Sequence, residues 1–153
     1  MLKTNSKDQK GFTIIEVLIV LAIAGLILLI VFLAVPALQR NSRNTQRRAD
    51  VATYGGAVSE FVTNNNGTKP STAPHVATIN GLAKTSGNTT KPTDVLTGAR
   101  TNTVALDSIE LVTDAKCSTT SAGDTVDGTS RTIALRFSVE NATNTGVKQC
   151  QEI

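Results

Sequence analysis

From residue 17 to residue 38 the sequence carries no polar side chain, and this run limits the fold more than anything else in the chain. Wound as a helix at ~1.5 Å per residue it extends about 33 Å, enough to cross the roughly 30 Å hydrocarbon layer of a bilayer. Over all 153 residues only 40% are apolar, because the remainder is rich in Thr, Asn, Ser and Gly. The average conceals a chain of two halves and argues against a purely soluble domain.

Both flanks of the run are basic, with Lys3, Lys7 and Lys10 before it and Arg40, Arg43, Arg47 and Arg48 after it. Lysines and arginines close to the membrane set orientation, so here charge alone does not orient the protein. No small-residue cleavage site of the secretory kind follows Leu38, where the chain reads QRNSRNTQRR; the apolar segment is therefore expected to be retained. No cysteine lies near it to take a lipid, which leaves the helix itself as the anchor.

With one histidine (His75), no tryptophan and two cysteines, the chain cannot build a multi-histidine metal centre or an aromatic platform for stacking bases. No cofactor or metal site is expected, since Asp124, Asp127 and Gly128 form too common a turn pattern to assign calcium. The formal charge of +3 does not describe the C-terminal part, because residues 49–153 hold eight Lys or Arg against ten Asp or Glu. A nucleic-acid partner is thus unsupported by the charge of that part, a local patch of Lys84, Lys91 and Arg100 being its one candidate. No G-x-S-x-G, P-loop or H-E-x-x-H pattern occurs, and a membrane-anchored extracytoplasmic enzyme is the remote alternative.

Glu16 is the anomaly. It lies four positions beyond Phe12 inside an otherwise apolar stretch, and a carboxylate at the centre of a membrane helix costs on the order of 2.5 to 3.5 kcal/mol, less near the interface. It needs a cation or a proton. A cut between Gly11 and Phe12 would release an α-amino group on Phe12 about 6 Å along the axis from Glu16, in its own chain or presented by a neighbour.

The residues KGFTIIEVLIV, from Lys10 to Val20, resemble the N-terminus of type IV prepilins and the related pseudopilins. The resemblance covers the leader and the hydrophobic helix, about the first quarter of the chain. It implies that a membrane prepilin peptidase cuts after Gly11 and methylates Phe12, and that Glu16 recruits the subunit into a homo-oligomeric helical filament. An assembly ATPase and a platform protein are the further partners it implies. The precursor is then single-pass in the cytoplasmic membrane, and the product is a cell-surface filament serving motility, adhesion or DNA uptake. A pseudopilin of a type II secretion system and a minor or tip binding pilin are the alternatives. Family helices often carry a proline near mid-segment, whereas Pro36 sits near the end of this one, where loss of the hydrogen bond to the Phe32 carbonyl should kink or loosen the helix.

The implied fold class is α+β, a long N-terminal helix packed on a small antiparallel β-sheet head. Residues 1–11 form the cleaved leader, 12–38 the membrane and filament-core helix, and 39–63 an amphipathic continuation. Within the last, Val51, Tyr54, Val58, Phe61 and Val62 recur at helical spacing as a stripe suited to a sheet, and Arg40, Arg43 and Arg47 form a second stripe read as a solvated or headgroup-facing surface. Residues 64–103 read as a connecting loop, with short strands expected near 76–79. Residues 104–153 read as an antiparallel meander of three or four strands, at 104–113, 133–139 and 147–151. Cys117 and Cys150 lie in this last part as either a disulfide or two reduced core thiols; an exported domain favours the disulfide, and the resemblance implies it.

Overall fold

A computed structural model describes residues 11–153; the expected leader, apart from Gly11, lies outside the described residues. The chain divides at Leu38 into two compact units, Met1–Leu38 and Gln39–Ile153. The architecture is α+β, a long N-terminal helix and a small β-sheet head.

The helix, α1, spans Ile14–Asn64 and continues through Pro36. In the first unit its apolar side chains have no cover among the described residues: Ile14, Leu18, Leu26, Phe32 and Leu33 are all more than half exposed. Water does not tolerate so long an apolar surface, and a bilayer or other apolar partner has to surround it.

In the second unit the same helix is amphipathic. Val51, Tyr54, Ala57, Val58 and Phe61 are buried in one cluster with Ile109, Leu111, Ile133, Leu135, Phe137 and Val139 of the sheet, and Val62 packs at its margin. The stripe read from the sequence is therefore the core face. Asn66, at φ 54°, and Gly67, at φ 80°, end the helix, and the Gly67 N–H donates to the Val62 carbonyl at 2.8 Å, closing the last turn as a Schellman-type cap.

Residues 64–103 depart from the expected loop. A second helix, α2, covers Ala73–Leu82 where short strands were expected. Thr72 enters it in extended conformation, and Pro74 sits in its first turn, where a missing N–H costs nothing. Val76 and Ile79, three residues apart, are both fully buried; two apolar positions suffice for a helix this short, and that sparse signal reads as a loop. Lys91 closes the far end by donating Nζ to the carbonyls of Asn80 and Ala83 at 2.8 and 2.6 Å.

The sheet is mixed: the strands expected within 104–153 pair antiparallel, and a parallel strand from the connecting segment is added at the edge. Its strands are β1 Val95–Thr97, β2 Ile109–Thr113, β5 Ile133–Glu140 and β6 Gly146–Glu152, in the order β1-β2-β5-β6, while β3 Ala115–Cys117 and β4 Thr125–Asp127 pair separately. β1 runs parallel to β2, and the other neighbours are antiparallel. The broken alternation at 104–113 has a structural cause. Only 109–113 is strand, and Asp107 before it holds a left-handed backbone at φ 62°, so the chain turns before it pairs.

β5 is buried on both faces. Ile133, Leu135, Phe137 and Val139 face the α1 cluster, as their alternation predicts. Arg136 lies in register with Glu110 on one side and Cys150 on the other, so the three share the opposite face. The β3–β4 hairpin and residues 98–104 cover that face. Arg136 is fully buried there, donating Nε to the Gly123 carbonyl at 2.9 Å, Nη1 to Glu110 at 2.6 Å and Nη2 to the Asn102 carbonyl at 2.6 Å. Gly123, at φ 75°, is obligatory: a Cβ there would overlap the backbone of Lys148 and Gln149.

Asp50, on α1 and 4% exposed, fastens the segment between α2 and β1. It accepts from the Ser86 N–H at 2.7 Å, the Ser86 hydroxyl at 2.7 Å and the Thr89 hydroxyl at 2.6 Å. Burial works against its charged form, but these three donors together hold its carboxyl below the usual range. Replacing Asp50 by Ala strands three donors, and stability measured by urea unfolding should fall by about 2 to 3 kcal/mol.

Candidate functional site

The residues singled out at the N-terminus lie within the first unit. Gly11 and Phe12 precede α1 and are exposed, Phe12 at 89%, so the peptide between them lies in accessible, non-helical backbone. Thr13 immediately precedes the helix, and Glu16 occupies its first turn. The Thr13 N–H and hydroxyl both donate to Glu16 Oε2, at 2.8 and 2.7 Å, and the Glu16 N–H approaches Thr13 Oγ1 at 3.4 Å. This is a reciprocal capping box, T-x-x-E, in which each side chain serves the backbone donor of the other. The sequence contained that signal, but the reading of Glu16 as a charge awaiting the Phe12 amine overlooked its neighbour. Glu16 Oε1 has no partner among the described residues.

The arginine stripe lies in the second unit and meets the expectation in part: Arg43 keeps a side chain 46% exposed, whereas Arg47 is withdrawn from solvent. Arg47 is 4% exposed; its Nε donates to Asp107 at 2.6 Å, its Nη1 to Asn44 Oδ1 at 3.0 Å and its Nη2 to Glu140 Oε1 at 2.7 Å. Arg43 meets the same carboxylate through Nε, at 3.1 and 3.2 Å, and through Nη2, at 2.6 Å. Asn44 Nδ2 donates to the Glu140 carbonyl, and the Glu140 N–H donates back to Asn44 Oδ1, both at 2.8 Å. The end of β5 is thereby locked to α1 by charge-assisted bonds on both oxygens of one carboxylate. Hydrogen bonds from Arg43 and then Arg47 lower the Glu140 carboxyl to about 2, against burial acting the other way.

Sequence reasoning missed Glu140 and Asp107 as partners because each lies more than 50 residues from the arginines. Asp50, close to the arginines in sequence, binds Ser86 and Thr89 instead.

Cys117 and Cys150 form a disulfide with a Cα separation of 5.7 Å. It joins β3 to β6 and staples the hairpin over the face carrying Arg136. The neighbouring Cys117 N–H donates to Glu152 Oε1 at 2.8 Å.

The acidic turn does not gather ligands. Asp124 pairs with Lys148 and lies 3.8 Å from Arg136, while Asp127 accepts from the Ala99 N–H at 2.9 Å. Among the described residues no cluster of three His, Cys, Asp or Glu side chains is placed to hold a metal ion. Of the three residues considered for a basic patch, Lys91 is committed through Nζ to the end of α2, and Arg100 pairs its backbone with Thr125.

Residues 6–32 match the family model described as the prokaryotic N-terminal methylation motif. The match ends within the apolar half of α1 and does not extend into the second unit. No curated protein matches the chain, and no solved structure does.

The Glu140 lock has a definite pH signature. Its folded-state carboxyl lies below the ordinary value of 4.5, at about 2, so its contribution is complete above about pH 4.5 and drains away as pH falls toward 2. Urea midpoints of the full chain in nonionic micelles should decline across that window. In Glu140→Gln the midpoint should be lower at neutral pH, and the decline over the window shallower.

Proposed function

We propose that this chain, which carries the methylation signal of type IV pilin precursors, is the precursor of a structural subunit of a type IV pilus or pilus-like filament. It is held in the membrane by the apolar half of α1, cut by a prepilin peptidase between Gly11 and Phe12, methylated on the new terminus and polymerised helix against helix. The supporting observation is Glu16: one carboxylate in a long apolar helix that is uncovered among the described residues, and bound among them only through one oxygen, to a residue three positions away.

In the precursor Phe12 is in amide linkage and offers no amine. Cleavage creates one, and Glu16 gains a cationic partner in its own chain or a neighbouring subunit, replacing an unfavourable lipid environment with an ion pair. The apolar side chains exchange lipid for other helices with little net change in burial, so packing and polar pairing favour association. Ala22, Ala24 and Gly25 permit close approach of helices. Pro36 lacks an N–H for the preceding turn, and local loosening there would let the helix adjust on leaving the bilayer. The assembly ATPase and platform protein belong to the same reading. The role is one of assembly, without a catalytic step of its own.

Mass spectrometry of material sheared from cells should give a chain beginning at Phe12, heavier by one methyl group and lighter by the two hydrogens of the Cys117–Cys150 bond. A front end at residue 39 or later would overturn the reading. Glu16→Ala should still insert and be cut, while filament yield falls at least about tenfold, as expected for loss of a charged pair in an apolar setting; normal yield would remove the pairing.

A further inference from the structure

Beside the Glu140 lock lies a polar cavity of ≈ 290 Å³, lined by Arg43, Gln46, Arg47, Asn88, Thr89 and Asp107. At ~30 Å³ of liquid per water it has room for about ten waters, so a small polar group fits. Two features define what it could hold. The first is a set of polar groups the fold leaves unused. Arg43, its side chain 46% exposed, spends Nε and Nη2 on Glu140 and keeps Nη1, while the side-chain amides of Gln46 and Asn88 have no partner among the described residues. Across from these donors, Asp107 is 51% exposed at its side chain and gives only Oδ1 to Arg47, leaving Oδ2 as an acceptor.

The second feature is charge balance. Arg43 and Arg47 are matched by Glu140 and Asp107, so these four side chains carry no net charge between them. A simple anion would be drawn to the guanidinium and repelled by the open carboxylate, and a simple cation would meet the reverse. A zwitterion with an anionic and a primary ammonium end suits both, and the N–H bonds of the ammonium match the free carboxylate oxygen.

Position along the chain selects the source. Arg43 is five residues beyond Leu38, the last residue of the apolar run, and five residues reach at most ~18 Å even fully extended. On the reading that this run spans a bilayer, the cavity cannot be far from the headgroups. We propose that it binds the phosphoethanolamine headgroup of a membrane lipid, with the phosphate on Arg43 Nη1 and the Gln46 and Asn88 amides and the ammonium on Asp107 Oδ2. Bound this way, the precursor would be held at the membrane surface by a contact that it must release on leaving the bilayer.

The test uses the full ¹⁵N-labelled chain in lipid nanodiscs, following the side-chain resonances of Arg43 and Gln46. Discs of phosphatidylcholine doped with phosphatidylethanolamine should shift both resonances saturably, whereas phosphatidylcholine alone or doped with phosphatidylglycerol should not. Asp107→Asn keeps a side chain that tolerates the left-handed backbone at this position, and should weaken the phosphatidylethanolamine response about tenfold, with the lipid-free spectrum changed only around Arg47, its partner in the fold. An equal response to phosphatidylglycerol would reduce the site to anion attraction and overturn the proposal. A response to soluble glycerophosphoethanolamine in nonionic micelles, with none to the lipid in discs, would identify a free solute as the ligand and overturn it too. No response from protein that co-elutes with discs would dismiss the headgroup site and leave the membrane reading standing. Failure of the chain to enter discs would overturn that reading, and this proposal with it.

Discussion

An apolar helical surface left without cover cannot be stable in water, and among the described residues the first half of α1 is such a surface. At roughly 25 cal/mol per Å² of apolar area, leaving a run of this length in water costs tens of kcal/mol, more than the 5 to 15 kcal/mol by which a domain of ordinary size is stable. No rearrangement within a small polar head could offset that. The environment of the helix is therefore part of the structure, first a bilayer and, on the proposed function, later the same helix in other copies. These surroundings are alike in polarity, and that similarity makes a transfer between them energetically feasible.

The second unit uses the same helix in the opposite way. From Val51 to Phe61 one face is buried in the sheet cluster, and polar contacts then fix what hydrophobic packing alone would leave free to slide. Asp50 fastens the segment before β1 at 86–89; Arg43, Asn44 and Arg47 fasten the end of β5. Hydrophobic burial is non-directional, whereas bidentate arginine contacts tolerate little displacement. The cluster supplies most of the stabilisation, and the arginine and aspartate contacts set the register. On the far side of the sheet, Arg136 and the disulfide play the corresponding part for the β3–β4 hairpin.

What could be read from the sequence followed the reach of each signal. Strong local periodicity gave the helix stripe at 51–62 and the strand at 133–139, because each is written in consecutive turns or alternations. The α1 cap was equally local, as Asn66-Gly67 accepts the left-handed conformation that closes a helix. Signals that are short or shared across the chain were lost. α2 rests on two apolar residues and a proline in its first turn, so 73–82 looked irregular. The parallel pairing of β1 with β2 leaves no local trace in a three-residue strand. Arg136 alternates as a solvent-facing residue should, and only the later return of 98–104 and the hairpin makes its face an interior. The arginine stripe was legible only in part for the same reason: helical spacing shows that Arg43 and Arg47 share a face, but not that Glu140 arrives there from the other end of the head.

Two glutamates show how the fold separates closed sites from open ones. Glu140 has both oxygens occupied by guanidinium groups and its backbone N–H and carbonyl held by Asn44; it has no capacity for another partner, and its role ends with the fold. Glu16 uses Oε2 alone, on a threonine that offers hydrogen bonds but no charge. A capping box lowers the cost of keeping a carboxylate in an apolar helix by satisfying donors that any helix start leaves unpaired, yet it does not neutralise the charge. On the proposed function the capped state is sufficient for a precursor that must persist in the membrane and insufficient as an end point, because an amine in reach of Oε1 would still add an ion pair without breaking the cap. Insertion and assembly can then use the same residue in succession, the cap serving the first and the vacant oxygen the second.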